Sequence, residues 1–117
     1  MKRKRGLLAV LLLLACSSLD IEELPTEVTL TVDRTSAAVG EEFEFTWEAT
    51  GSFLAGAVLD FGDGTPADSL ELEGAQRATA RRTHAYAESG SYVVTATIEE
   101  ANNETASDAA TVEVTGG

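Results

Sequence analysis

The chain has 117 residues and carries 20 acidic residues against eight basic ones, which gives a formal net charge of −12 at pH 7. So acidic a chain repels nucleic acid and anionic lipid, and neither is expected as a ligand. A single cysteine excludes an internal disulfide. The length suffices for one domain of about 100 residues and is too short for two.

The first residues have the pattern of an export signal. Residues 2–5 are basic and residues 7–15 are all apolar. Nine apolar residues span only about 14 Å as a helix, whereas the hydrocarbon core of a bilayer is about 30 Å thick, so a secretory signal peptide is predicted. Leu13-Leu14-Ala15-Cys16 resembles a bacterial lipobox. That resemblance implies cleavage before Cys16 and a covalent lipid on it; the alternative is a secretory peptide with an incidental cysteine.

The predicted cleavage divides the chain into three parts. These are a lipoprotein signal peptide over residues 1–15, an acylated acidic tether over residues 16–25, and a domain over residues 26–115. Cleavage leaves four basic residues against all 20 acidic ones, a net charge of −16. The expected location is the bacterial cell envelope, lipid-anchored in a membrane, and Ser17 after the cysteine is typical of an outer-membrane address in a Gram-negative cell.

Alternation of polar and apolar side chains predicts β-strands at the start of the domain. Residues 27–32 form the first, and residues 33–40 break the pattern with a turn. Residues 41–50 show the clearest alternation. Their inward face is expected to form the centre of the core: Phe43, Phe45, Trp47 and Ala49.

Five further strands are predicted downstream of a bend at residues 51–56. They cover residues 57–61, 68–74, 76–83, 92–98 and 105–115. The strand over 68–74 carries acidic residues that suit a sheet edge. Arg77, Arg81 and Arg82 lie on the next strand, which is expected beside residues 42–48, where cross-strand ion pairs with glutamates are one interpretation and an anion-binding strip is the other.

Three short motifs identify the fold. They are Asp60-Phe61-Gly62-Asp63-Gly64-Thr65, then His84-x-Tyr86, then Gly90-x-Tyr92-x-Val94. The first has the composition of a tight turn, and Tyr92 has the spacing of a tyrosine corner, in which a hydroxyl bonds upstream backbone. Together the motifs resemble the PKD (polycystic kidney disease) domain, although Leu59 stands where that family usually has Trp. The resemblance implies an all-β, immunoglobulin-like sandwich of about seven antiparallel strands.

No catalytic group of residues is recognisable, so an enzyme is not expected. His84 is the only histidine, and the resemblance places it in a structural His-x-Tyr motif. Asp60 and Asp63 are a weak candidate pair for calcium, but calcium takes six to eight oxygen ligands, and capping of the turn is the favoured interpretation. No cofactor is therefore expected apart from the lipid.

The function expected from the resemblance is that of a non-catalytic binding or scaffold module at the cell surface. Its partner would be a protein or a glycan, and its membrane contact the lipid anchor. One alternative is an accessory subunit of an envelope enzyme or transport complex. Another is a weak carbohydrate binder, for which only Phe53 and Tyr86 remain as exposed aromatic residues.

Overall fold

The computed structural model describes residues 24–116. The predicted signal peptide, Cys16 and nearly all of the tether lie outside these residues. All regular structure in the described range is β-strand. Nothing helical in it has the length and apolarity that crossing a bilayer requires.

Six strands form one hydrogen-bonded sheet that curls into two layers. Their bounds are β1 Glu27–Val32, β2 Ser36–Ala38, β3 Glu42–Asp60, β4 Asp68–Ala85, β5 Gly90–Glu100 and β6 Thr105–Thr115. The order is β1-β3-β5-β6-β2, and β4 pairs with β3. The first part of β3 lies between β1 and β4, and its last part lies between β4 and β5. These two parts therefore belong to opposite layers of an immunoglobulin-like sandwich, which confirms the predicted fold class.

The strand count differs from the predicted seven because β3 and β4 each join two predicted strands. Both fold over at one end of the sandwich, which we call the bend: residues 51–56 of β3 and residues 73–75 of β4. The β3–β4 register shifts there, between Thr50 and Leu54 and again before Gly56. Glu73 and Gly74 have positive φ angles of 53° and 86°, so the backbone of β4 turns sharply at this point.

The remaining departure is β2. This three-residue strand lies in the segment that was predicted to be only a turn, and it pairs in parallel with β6. The pairing adds a short edge strand to the second layer and leaves all other strand pairs antiparallel.

The core is the one that the alternation predicts. Phe43, Phe45 and Trp47 are at most 2% exposed, and they meet Leu59, Val94 and Ile98 from the opposite layer. Leu59 is itself 1% exposed, so leucine fills the position at which the family usually has Trp. Packing rather than disulfide bonding therefore holds the layers together.

Ion pairs also occur where cross-strand pairs were predicted. Arg81 Nε lies 3.8 Å from Glu44 Oε2 between adjacent strands. Arg82 Nε donates to Asp68 Oδ2 at 2.6 Å, which joins the two ends of β4 across the open side of the sandwich. These contacts favour the ion-pair interpretation over an anion-binding strip, because two of the three arginines already lie beside carboxylates.

Candidate functional site

The loop over residues 60–65, called here the Asp60 loop, is closed by its own aspartates. Asp60 Oδ1 accepts a hydrogen bond from Gly62 N at 2.9 Å. Asp63 Oδ1 accepts bonds from the backbone N–H of Thr65 at 3.1 Å and from its hydroxyl at 2.5 Å. Both carboxylates thus cap the backbone two residues further on, which is how aspartate stabilises tight turns.

Gly62 brings this loop against β5. Its φ angle is +82°, and a Cβ atom there would lie 2.2 Å from the carbonyl oxygen of Val93. Only glycine fits such an approach, since that separation is far below van der Waals contact. Gly64 has a similar φ of +87°, but a Cβ there would meet nothing within 4 Å.

His84 connects the Asp60 loop to β4. Its ring stacks on Phe61 with centroids 4.0 Å apart and planes 3° apart, and its Nε2 lies 2.7 Å from Asp63 Oδ2. The side chains of His84 and Asp63 are only 17% and 12% exposed. Burial of the carboxyl opposes ionisation, but hydrogen bonds from Thr65 and His84 outweigh it and lower the pKa of Asp63 to about 2. Asp63 is therefore an ionised acceptor at neutral pH, so Nε2 carries the proton and donates it.

Two tyrosines complete the cluster. The hydroxyl of Tyr92 donates to the carbonyl oxygen of Glu88 at 2.7 Å, which is the tyrosine corner. Tyr86 is only 1% exposed, and its hydroxyl donates to the carbonyl oxygen of Phe61 at 2.8 Å. Burial, and secondarily the charge of Asp63, raises the pKa of Tyr86 well above its ordinary value. The two rings stack with centroids 4.3 Å apart, and Gly90, with φ +152°, lies between the two tyrosines in the chain.

The burial of Tyr86 corrects one expectation. The carbohydrate-binding alternative requires Tyr86 to be an exposed aromatic residue, but its ring lies between Phe43, His84 and Tyr92. Phe53 is exposed as predicted, at 57%, and lies at the bend, where its ring covers Gly74. Phe53 is thus the sole aromatic ring of the described residues to expose more than a third of its surface, and one ring makes no platform.

The chemical capacity of this cluster is small. The carboxylates, the imidazole and both phenols are engaged within the domain, beside a shallow cavity of about 210 Å³ between Asp63, Glu88 and Tyr92. Within residues 24–116 no three His, Cys, Asp or Glu side chains are arranged to hold a metal ion. Asp60 and Asp63 accept bonds from separate backbone groups, those of Gly62 and Thr65.

Glu100 is a structural residue that the sequence analysis missed. It is 4% exposed, and its Oε1 accepts bonds from the backbone N–H groups of Ser52 at 3.1 Å and Phe53 at 2.8 Å. Its Oε2 accepts the hydroxyl of Thr26. The Thr26 hydroxyl, helped by the N–H of Phe53, lowers the pKa of Glu100 although burial opposes this. Glu100 therefore links the start of β1 and the end of β5 to the bend in β3.

The pH dependence of stability tests the role of Asp63. The folded pKa of Asp63, about 2, lies below the ordinary aspartate value of 3.8 that applies to the unfolded chain, so its stabilising contribution is complete above about pH 4 and disappears as the pH falls to about 2. Allowing for solvent screening, we expect Asp63→Asn to cost about 1 kcal/mol at pH 7, or about 5 °C in Tm, and close to nothing at pH 2.

Asp60→Asn is the matched control, because Asp60 accepts a single bond that an amide oxygen can also accept. It should change Tm little at either pH. Thermal unfolding should give the same Asp63→Asn loss in EDTA as in millimolar calcium. A saturable rise in the Tm of the parent protein with calcium, not reproduced by magnesium, would contradict the capping role.

Comparisons with known proteins agree with this geometry. A family model described as "PKD domain" matches residues 21–115. The fold is similar to that of the PKD domain of an M14-like peptidase from Thermoplasmatales archaeon SCGC AB-540-F20, with TM-score 0.64 and 19% identity over 80% of this chain and 99% of that one. The comparison with curated proteins gave no match.

Two other solved structures share the architecture. The sulfur carrier protein SoxY from Chlorobium limicola has TM-score 0.65 and 10% identity, covering 86% of this chain and 93% of that one. The CARDB domain of the PF1109 protein from Pyrococcus furiosus, solved in complex with di-metal ions, has TM-score 0.54 and 17% identity, covering 84% and 99%. At such identities these likenesses establish the fold alone.

Proposed function

Because the chain belongs to the PKD domain family, we propose that it is a non-catalytic binding or scaffold module held on the bacterial cell envelope by a lipid at Cys16. The observation that carries the proposal is the state of the family motif. Asp63, Tyr86 and the Nε2 atom of His84 all form contacts inside the domain. A motif used in this way stabilises a loop, and among the described residues no nucleophilic hydroxyl group forms a hydrogen bond with the His84 ring.

The anchor is supported by the residues that precede the domain. Residues 7–15 are apolar, and Leu13-Leu14-Ala15-Cys16 resembles a lipobox. A protein with two acyl chains binds a membrane stably, whereas a protein with a single acyl chain binds only marginally. The acidic surface is repelled by an anionic leaflet, so the domain is held off the membrane surface. The partner is a protein or a glycan and not a nucleic acid.

Replacement of the cysteine tests this proposal. We expect Cys16→Ser to abolish incorporation of labelled palmitate and to move the protein out of the membrane fraction or leave it uncleaved. Ser17→Ala is the control, because it leaves the cysteine in place. Equal palmitate incorporation by Cys16→Ser and the parent would overturn the lipoprotein assignment, and capture of a stable enzyme complex from solubilised envelope would favour an accessory subunit instead.

A further inference from the structure

The strand β4 has a long free edge. It pairs with β3 along one side, and in the range 24–116 no strand pairs with its other side. Because β4 passes through both layers of the sandwich, each layer has a free edge along β4. The other margin of the first layer is partly covered, since Asp108 Oδ2 accepts the N–H of Leu30 in β1. Free edges of such length are available for pairing with another strand.

The charges on this edge are segregated. The first half of β4, residues 68–73, has only acidic charges: Asp68, Glu71 and Glu73. The second half, residues 76–85, has only basic ones: Arg77, Arg81 and Arg82. Among the described residues Arg77, Glu71 and Glu73 have no ion-pair partner within 4.0 Å. The uncompensated charges of opposite sign therefore lie on either side of the bend.

From this pattern we propose that two copies of the chain associate edge to edge through β4, each first half pairing antiparallel with the second half of its partner. The occupant of the free edge is thus a second copy of this chain. The association depends neither on the lipid nor on the envelope partner proposed above.

The fold makes this arrangement geometrically consistent. The bond between Arg82 and Asp68 shows that the two ends of β4 lie at the same level in opposite layers. A two-fold axis parallel to the strands exchanges the two layers, but it changes neither the position of a residue along the axis nor the direction of a strand. The acidic half of one copy then lies beside the basic half of the other, running in the opposite direction, and each layer continues into the partner's other layer.

The register that follows from these levels matches side chains on both faces. On the outer face, Glu71 lies diagonally between the partner's Arg77 and the partner's Arg81, and Glu73, the first residue of the bend, lies level with the partner's Arg77. On the inner face, the half-buried Leu70 and Leu72 lie opposite the partner's Ala80 and the partner's Ala78. Oppositely charged and apolar cross-strand pairs both stabilise antiparallel sheets.

Pairing of like halves is disfavoured. A second half paired with itself would bring arginines together, and a first half paired with itself would bring carboxylates together, which is destabilising. The backbone is also suitably oriented. The backbone carbonyl of Glu44 points toward β1, where it accepts the N–H of Asp33. Because backbone groups alternate in direction along a strand, those of Phe45 and Trp47 point toward β4. The N–H and C=O groups of Arg77, Thr79 and Arg81 therefore point to the free edge of β4.

The test uses the full-length chain carrying two different C-terminal tags, co-expressed and purified through one tag in mild detergent. The wild-type copies should co-purify. Apart from the internal Arg82–Asp68 pair, Glu71→Arg with Glu73→Arg leaves only basic charges on the strand, and Arg77→Glu with Arg81→Glu leaves only acidic ones. Each double variant should lose about tenfold or more of its self-association, and the two variants together should recover it, because opposite charges then face each other again.

Controls separate this result from misfolding. Glu27→Arg with Glu113→Arg makes the same change of charge on the exposed faces of β1 and β6, neither of which pairs with β4, and should co-purify like the wild type. Fluorescence of Trp47 reports whether each variant is folded. Self-association of the wild type should weaken at about 0.5 M salt, because salt screens the attraction between the paired charges. Failure of the wild-type copies to co-purify, or failure of the mixed variants to recover association while folded, would overturn the proposal.

Discussion

Replacing Trp47 with alanine should lower the free energy of unfolding by about 3 to 5 kcal/mol, as truncation of a buried aromatic side chain does. Trp47 is 2% exposed in the centre of the core. A domain of this size has about 5 to 15 kcal/mol of stability in total, so the variant should be largely unfolded at modest denaturant concentrations. Urea unfolding followed by far-ultraviolet circular dichroism measures the loss without relying on the residue that was removed.

Two controls accompany this result. Trp47→Phe keeps most of the buried surface and should cost much less. The parent protein should show blue-shifted tryptophan emission, because Trp47 is the single tryptophan of the chain. Emission at the wavelength of free indole would mean that β3 has the opposite face inward, since a shift of one residue exchanges the two faces of a strand.

A second large effect is expected at Gly62. An alanine Cβ there would lie 2.2 Å from the carbonyl oxygen of Val93, which is backbone and cannot rotate away. The positive φ of +82° adds about 1 to 2 kcal/mol, and the enforced shift of β5 adds about 1 to 3 more. Gly62→Ala should therefore cost about 2 to 5 kcal/mol in a denaturant titration.

Gly64→Ala isolates the conformational part of that cost. Its φ of +87° is nearly the same, but the added Cβ meets nothing within 4 Å, so a loss of about 1 kcal/mol is expected. Equal losses at Gly62 and Gly64 would show that the contact with Val93 has no energetic consequence.

Much of this fold could be predicted from the sequence because its signals are local. The alternation at Phe43, Phe45 and Trp47 specifies an inward face, and the spacing from Glu88 to Tyr92 specifies a tyrosine corner, which the structure shows. Two predicted strands became one in both β3 and β4 because Leu54 pairs with Ala75 within the bend, although the register shifts on either side of this pair. Pairing of that kind depends on a neighbouring strand and leaves no local pattern.

The burial of Glu100 and of Tyr86 was not predicted, although Tyr86 belongs to the predicted His84-x-Tyr86 motif. Glu100 continues the inward alternation of Val94, Ala96 and Ile98, but a buried carboxylate needs hydrogen-bond donors, and its donors come from Thr26, Ser52 and Phe53, which are remote in the sequence. Tyr86 continues the inward alternation of Arg82 and His84, and the group that accepts its hydroxyl, the carbonyl of Phe61, is 25 residues away in the sequence. Local pattern therefore places both side chains inward, and long-range partners satisfy their polar groups.

The placement of Glu100 also determines which end of the domain is remote from an anchor. Thr26, where the domain begins, is held at the Glu100 end of β5, whereas the Asp60 loop contacts Val93 near its other end. Seven residues of strand separate these positions by about 23 Å. A lipid at Cys16, at most about 35 Å of extended chain from Thr26, would therefore join the domain at its Glu100 end and leave the Asp60 loop and the Glu88 turn at the end remote from the attachment.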